Sequence, residues 1–314
     1  MINQIVNEYY SNSKYWKWNG YKIAWNLKGN KNDVPIILIH GFGACGAHWR
    51  SNINFFVSKG YSVYSIDLLG FGKSDQPGLR QIGRLDNGVW CDQVSDFIKE
   101  VIRPINSKKV ILIGNSLGSL VALTCAVSIP YEISGVIASP LPDQFNLKTK
   151  FSGIGSYFRK IKIALLKIFF ILLPIELILF LIVRLGFISL GLSSAYHKKN
   201  KVDRELIDII KKPVMRNTAA GSLRAMCLGM STRNYRLKAP YLLNIICKLE
   251  KIPLLLLWGE KDNFIPLFLG KRIANFYSWV ELKIIPNSGH CVHDEDHKSF
   301  NEISYQWISD LKLF

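Results

Sequence analysis

The chain of 314 residues is 49% hydrophobic and carries 40 Lys and Arg against 23 Asp and Glu, a formal net charge of +17. It is long for a minimal domain and ample for a large buried core. Its six cysteines, Cys45, Cys91, Cys125, Cys227, Cys247 and Cys291, are scattered without a C-x-x-C pair. That pattern argues against a disulfide framework or a metal centre and for reduced thiols in an intracellular compartment.

Residues Met1 to Asn12 are polar and lack the apolar core of a signal peptide, so secretion is not expected. The first buried-strand run, Pro35 to Ile39, opens into His40-Gly41-Phe42-Gly43. From Gly41 to Gly46 the chain also matches the G-x-G-x-x-G dinucleotide fingerprint, with Asp67 as the acid about twenty residues on. That reading leaves the serine and histidine motifs further along without a role, so it is the weaker one, and no cofactor is expected. After the strand Tyr61 to Ile66, Asp67-Leu68-Leu69-Gly70-Phe71-Gly72-Lys73-Ser74 forms a Gly-rich turn. It is not a Walker A loop, because Asp67 stands where that motif needs glycine.

Gly114-Asn115-Ser116-Leu117-Gly118 lies between the apolar run Lys109 to Ile113 and the helical run Leu120 to Leu123. A strand turning sharply into a helix with a serine at the apex is a nucleophile elbow. The turn is expected to strain Ser116, and side chains at Gly114 or Gly118 would clash with the neighbouring strand and helix. The competing reading is an ordinary Gly/Ser turn. A serine hydroxyl is a poor nucleophile unless a histidine takes its proton and an acid orients that histidine. The strand Ile133 to Ala138 leads to one candidate acid, Asp143.

Residues 141–251 then read as a largely helical insertion between two parts of a core, 1–140 and 252–314. They hold 20 Lys and Arg against 6 Asp and Glu, so most of the net charge sits here. No nucleic-acid recognition motif accompanies the charge, and no nucleic-acid partner is expected. Ile163 to Val183 is nearly all apolar, flanked by Lys160, Lys162 and Arg184 and interrupted by Lys167, Pro174 and Glu176. A single membrane crossing would separate Ser116 from the residues after 252. Two short helices hinged near Pro174, lying in one leaflet or covering the site, avoid that separation. The alternative is a buried helix pair with no membrane contact. Apolar surface ringed by lysine suits peripheral contact with an anionic membrane.

A further strand run, Ile252 to Trp258, leads into Gly259-Glu260-Lys261-Asp262, which places Asp262 past the carboxyl end of a strand. Asp262 is the favoured acid over Asp143 because of this context. The strand Val280 to Ile285 leads to Pro286-Asn287-Ser288-Gly289-His290. His290 is the favoured base; His293 competes but lacks a preceding glycine to let its loop approach the elbow. Asp294, Glu295 and Asp296 read as a solvated loop or helix start.

Taken together, these residues resemble the α/β-hydrolase superfamily over nearly the whole chain, and the order Ser, Asp, His is the superfamily's. The resemblance implies a mostly parallel, doubly wound α/β sheet with an inserted, largely helical cap. It assigns Ser116, Asp262 and His290 to catalysis, the N–H groups of Phe42 and Leu117 to the oxyanion, and a supporting role to His40, Gly41, Gly114 and Gly118. His40 would orient its loop rather than carry protons. Gly289-His290-Cys291-Val292-His293-Asp294-Glu295 is similar to the G-H-C-P-H-D-E signature of the pheophytinase and chlorophyll dephytylase-like group of plants and cyanobacteria. Val292 replaces the usual proline, and Ser119 follows the elbow where glycine is common. The implied function is serine-dependent hydrolysis of a lipophilic ester, such as the phytyl ester of chlorophyll or pheophytin, in the cytoplasm or at the thylakoid. A lipase or lysophospholipase would use the same residues, and a non-catalytic membrane or pigment-binding relative is the remaining alternative.

Overall fold

The computed structural model describes residue 9 and residues 11–143, 155–248 and 252–311. Its strands are β1 (Lys14–Trp18), β2 (Tyr21–Lys28), β3 (Val34–Ile39), β4 (Tyr61–Ile66), β5 (Val110–Asn115), β6 (Ile133–Ser139), β7 (Leu254–Gly259) and β8 (Val280–Ile285). They form one sheet in the order β1-β2-β4-β3-β5-β6-β7-β8. Strands β3 to β8 pair in parallel, and only the β1/β2 and β2/β4 pairs are antiparallel.

The inner strands are apolar runs buried almost throughout, as a parallel sheet covered on both faces requires. Alternate residues serve opposite cores. Ile37, Ile39, Leu112 and Leu256 join Trp90, Phe97 and Leu120 on one face, while Ile36, Leu38, Ile113 and Leu257 join Trp49, Phe56, Phe300 and Trp307 on the other. The edge strands β1 and β8 expose several of their residues. Asn19 (φ 47°) and Gly20 (φ 85°) make the two-residue β1–β2 turn, where both central positions need left-handed backbone.

The helices of six residues or more are α1 (Ile53–Ser58), α2 (Asn87–Phe97), α3 (Leu117–Ser128), α4 (Gly155–Leu172), α5 (Ile175–Arg184), α6 (Phe187–Ala195), α7 (Arg204–Val214), α8 (Ala219–Thr232), α9 (Ala239–Lys248), α10 (Leu267–Phe276) and α11 (His297–Asp310). Helices α2 and α3 cover one face of the sheet, and α1 and α11 the other. Strand order reverses at β3, which pairs with β4 on one side and β5 on the other. The carboxyl ends of β3 and β5 therefore flank the switch point where open α/β sheets form their crevice.

Helices α4 to α9 lie between β6 and β7. The last of them, α9, sends Leu242, Leu243 and Ile246 into the core cluster that also holds α3. Pro174 has no N–H to continue α4, and the chain bends by 53° into α5. Arg224 of α8 secures the bend. Its Nε donates to Phe170 O (3.0 Å) and its Nη2 to Leu173 O (2.9 Å), and it forms an ion pair with Glu176. The hydrogen bonds that Arg224 gives the Glu176 carboxylate hold that carboxyl down to about 2.

Candidate active site

Ser116 stands at the junction of β5 and α3 with φ 52° and ψ −112°, a backbone that costs a non-glycine residue about 1–3 kcal/mol. Its N–H donates to Ser139 O at 3.0 Å. The flanking glycines are steric necessities. A Cβ at Gly114 would lie 2.3 Å from the carbonyl carbon of Gly118, and one at Gly118 would lie 2.1 Å from Ile39 O. Ser119, the departure from a further glycine, uses its hydroxyl: Oγ donates to Gly114 O at 2.7 Å and accepts Ser139 N–H at 2.8 Å. Ser116 itself is partly exposed.

Asp262 lies just past β7, and His290 lies on the loop after β8. Gly259 lets the two loops touch, since a Cβ there would be 2.0 Å from Gly289 O. Lys261 N–H donates to Ser288 O at 2.9 Å. The Asp262 carboxylate is fully used. Its Oδ1 accepts the N–H groups of Phe264 (2.8 Å) and Ile265 (2.9 Å), and its Oδ2 meets His290 Nδ1 at 3.0 Å. With a carboxylate as its partner Nδ1 carries a hydrogen, so in the neutral ring the lone pair is on Nε2, the form a general base needs. The Phe264 ring lies 5.3 Å from the His290 ring.

The β3 loop is oriented by His40, which is fully buried. Leu68 N–H donates to His40 Nε2 at 3.1 Å. Nε2 must therefore be the acceptor, so Nδ1 carries the hydrogen and donates to Gly41 O at 2.8 Å. Burial pushes this imidazole below its ordinary range, against the pull of Asp67, which keeps it neutral. In a trans peptide N–H points opposite to C=O, so fixing Gly41 O also aims the Phe42 N–H. Gly41 brings that peptide close: a Cβ there would be 3.6 Å from Ser116 Cβ. Leu117 opens α3, and its N–H has no acceptor within its own helix. The Gly41–Phe42 peptide thus lies near Ser116, which stands at the N-terminal end of α3, an end that favours negative charge.

The competitors are engaged elsewhere. Asp143 pairs with Arg233 and accepts Ala239 N–H at 2.9 Å, which ties it to the helical insertion. His293 is buried between Trp49 (4.3 Å), His48 (4.5 Å) and Phe300 (6.2 Å), and burial pushes its imidazole well below the usual range. Asp67, the acid of the dinucleotide fingerprint, accepts Gly46 N–H (2.8 Å), Lys73 N–H (2.7 Å) and the Tyr9 hydroxyl. Among the described residues, no group of three His, Cys, Asp or Glu is placed to hold a metal ion.

Asp294 and Glu295 correct the expectation of a solvated loop, being 3% and 1% exposed. Asp294 pairs with Arg50 at 2.8 Å. Burial raises its carboxyl, but the hydrogen bonds and charge of Arg50 outweigh that and hold it below its ordinary range. Val292, in place of proline, opens a short helical turn and packs in the core. Asn115 has no separate signal in the sequence beyond its place inside the elbow. Its Nδ2 donates to Ser139 O (2.7 Å) and His290 O (3.4 Å), binding the elbow to the β6 and β8 loops.

Two apolar rings stand open on the site's loops: Phe42 is 57% exposed, and Phe264, against His290, is similarly open. Helices α4 and α5 are not a buried pair, for Leu165, Phe169, Leu172, Leu177 and Phe180 are each more than half exposed. Among the described residues no single helix is long and apolar enough to cross a membrane, although Ile163–Leu172 with Ile175–Arg184 passes as a bent pair. Lys167 and Arg184 are exposed beside this surface; the side chains of Lys160 and Lys162 lie outside the described part of the molecule.

Residues 36–303 match the model of a family described as the alpha/beta hydrolase family. An uncharacterised protein of Mycobacterium tuberculosis is 24% identical over 290 residues, covering 91% of this chain and 77% of the relative. Epoxide hydrolase 3 of Xenopus tropicalis is 24% identical over 298 residues, covering 94% and 76%. The solved structure of a thermophilic esterase from Thermogutta terrifontis superposes with a TM-score of 0.68 at 17% identity, covering 95% of this chain and 98% of that one.

Proposed function

Since the chain belongs to the alpha/beta hydrolase family and has its fold, we propose that it is a serine ester hydrolase that draws a lipophilic ester from an anionic membrane surface. The observation that carries the chemistry is the Asp262–His290 pair at 3.0 Å, on the sheet edge where the strained elbow presents Ser116. Ser116 Oγ attacks the ester carbonyl while His290 Nε2 takes its proton, and Asp262 stabilises the resulting imidazolium. The N–H groups of Phe42 and Leu117 receive the oxyanion. As the tetrahedral adduct collapses, His290 returns the proton to the departing alkoxide and an acyl-enzyme remains. Water then gives a proton to His290 and attacks the acyl carbonyl, which frees the acid and restores Ser116.

The lipophilic preference is supported by the open rings of Phe42 and Phe264 on the site's loops and by the apolar face of α4 and α5 beside basic residues. An open groove of about 590 Å³ between α5 and the α7–α8 segment joins apolar Leu179, Phe180 and Val183 to charged Glu176, Arg184 and Lys211, a mixture suited to a chain with a polar head. The narrowest form of the reading is a phytyl ester such as that of chlorophyll or pheophytin, at an intracellular membrane. It rests on the resemblance of Gly289 to Glu295 to the dephytylase signature. A lipase or lysophospholipase would run the same steps. A non-catalytic relative that only binds lipid or pigment would need neither the Asp262–His290 pair nor the paired oxyanion donors.

Single-turnover assays against phytyl, acylglycerol, lysophospholipid and short p-nitrophenyl esters separate these readings, with an epoxide included because one relative carries that name. Long-chain ester turnover above the short-ester rate is expected, with the phytyl ester foremost on the narrowest reading. Preference for short soluble esters would remove the lipophilic half. Turnover of the epoxide alone would remove the ester.

A further inference from the structure

The histidine loop is held from two sides, by the sheet and by the helical insertion. At the last residue of α6, Ala195 O accepts the His290 N–H at 2.7 Å. A side chain at Gly289 would strike Ala195 O at 2.6 Å and His197 N at 2.7 Å, so the two backbones are in contact. Glu295 closes this junction. Its Oε2 accepts Gly289 N–H at 2.8 Å and its Oε1 accepts Lys198 N–H at 2.6 Å.

Among the described residues Glu295 has no cationic partner, although it is almost wholly buried. A buried charge without a counter-ion is costly. The geometry explains why a carboxylate stands here nonetheless. Two N–H groups, one from each backbone, each face one of its oxygens, and only a carboxylate accepts at both ends. Glutamine would turn its NH2 towards one of the donors. Asp294 reinforces the same contact, taking the Tyr196 hydroxyl at 2.9 Å while it pairs with Arg50.

We propose that Glu295 is a positioning residue that locks residues 195–198 of the cap to the Gly289–His290 loop, so that His290 is presented to Ser116 only while this part of the cap is seated. The inference rests on the reading of His290 as the base. It makes 195–198 a fixed wall of the site and leaves any opening for substrate to α4 and α5.

The test uses the full chain with Glu295→Gln and Glu295→Ala. Hydrolysis of a short soluble p-nitrophenyl ester is measured per site titrated with a fluorophosphonate, alongside amide hydrogen exchange. The expected result for Glu295→Ala is a kcat about 10–100-fold lower, the scale of a misplaced catalytic group, with KM within about twofold. Glu295→Gln, which keeps one acceptor, should fall between it and the wild type. Exchange should accelerate together in residues 195–198 and 289–291. Should the Glu295 variants fail to fold, Lys198→Pro removes the cap-side donor at φ −83°, which proline tolerates, together with the Lys198 Nζ–Asp296 pair at 3.5 Å; the same losses are expected for Lys198→Pro and not for Lys198→Ala, which loses only that pair. Unchanged kcat per titrated site with only a lower Tm, or faster exchange in one segment alone, overturns the proposal. Failure of the underlying reading looks different: the wild type would take up no probe at Ser116, while the exchange data would still decide the coupling.

Discussion

The loops at the carboxyl ends of the strands and the helix pair α4–α5 both depart from the rule of apolar inside and polar outside, and do so in opposite directions. At the loops, Asp262, His40, Asn115 and Glu295 are buried with their hydrogen bonds made to backbone atoms. Glycines there admit contacts no side chain could. In α4 and α5, bulky apolar side chains stand open beside exposed cations, and Arg224 anchors the bend between them. Fixed polar geometry suits a charge that develops in a transition state. An open apolar face suits a partner that is itself apolar. On the proposed reading, the difference separates the residues that set the chemistry from those that set what reaches it.

The largest effects that could break this division lie at the loops. Ser116→Ala should lower kcat by about 10⁴ to 10⁶, and His290→Ala by a similar amount. The double mutant should be little worse, because such residues act as a unit. Multiplicative losses in kcat would show that one of the two is misassigned. Asp262→Asn should cost roughly 10⁴ in kcat by leaving the imidazole without its carboxylate. Asp143→Asn should leave kcat within a few-fold and lower Tm instead, since that residue holds Arg233 and Ala239. Reversed results in the same assay would move the acid to the end of β6.

Smaller effects are expected at the helix pair. Replacing Phe169 and Phe180 with serine should cut turnover of a vesicle-borne long-chain ester at least about tenfold, through lost insertion, and leave a short soluble ester unaffected. Equal loss on both substrates would make the pair a packed structural element. Vesicle sedimentation should require anionic lipid and weaken as salt rises. Lys167→Gln and Arg184→Gln should each weaken it about fivefold. Sedimentation that ignored salt would remove the electrostatic part.

Acid tests the dry side most gently. His40, His48 and His293 are buried, and burial lowers each imidazole, that of His48 to about 4. Between the ordinary histidine value and these lowered ones the unfolded chain binds the extra protons, so stability falls as pH drops. The slope is about 1.4 kcal/mol per pH unit for each histidine that stays neutral. Denaturant unfolding from pH 7 to 5 should show it. A flat profile would mean that these rings gain protons without unfolding.

Much of the site was legible because local sterics write it into the sequence. Gly114 and Gly118 mark a turn that no other residue permits, and the apolar runs before Asp262 and His290 put both past strand ends. What could not be read are bonds between residues far apart in the chain. Asn115 meets His290, Arg50 meets Asp294, and Glu295 meets Lys198 only after the sheet has formed. Asp294 and Glu295 look like solvated acids for the same reason, since their partners lie on the β3 side and in the cap. The apolar run was legible in composition but not in exposure, because a buried helix and an open one share the same residues.

The central claim is that Ser116 is a nucleophile activated by His290, and covalent trapping tests it most directly. After incubation of the folded protein with a fluorophosphonate, peptide mass spectrometry should find the adduct on Ser116. The adduct should be absent in Ser116→Ala and form far more slowly in His290→Ala. An unlabelled wild-type protein, or an adduct on another residue that survives in Ser116→Ala, would contradict the account.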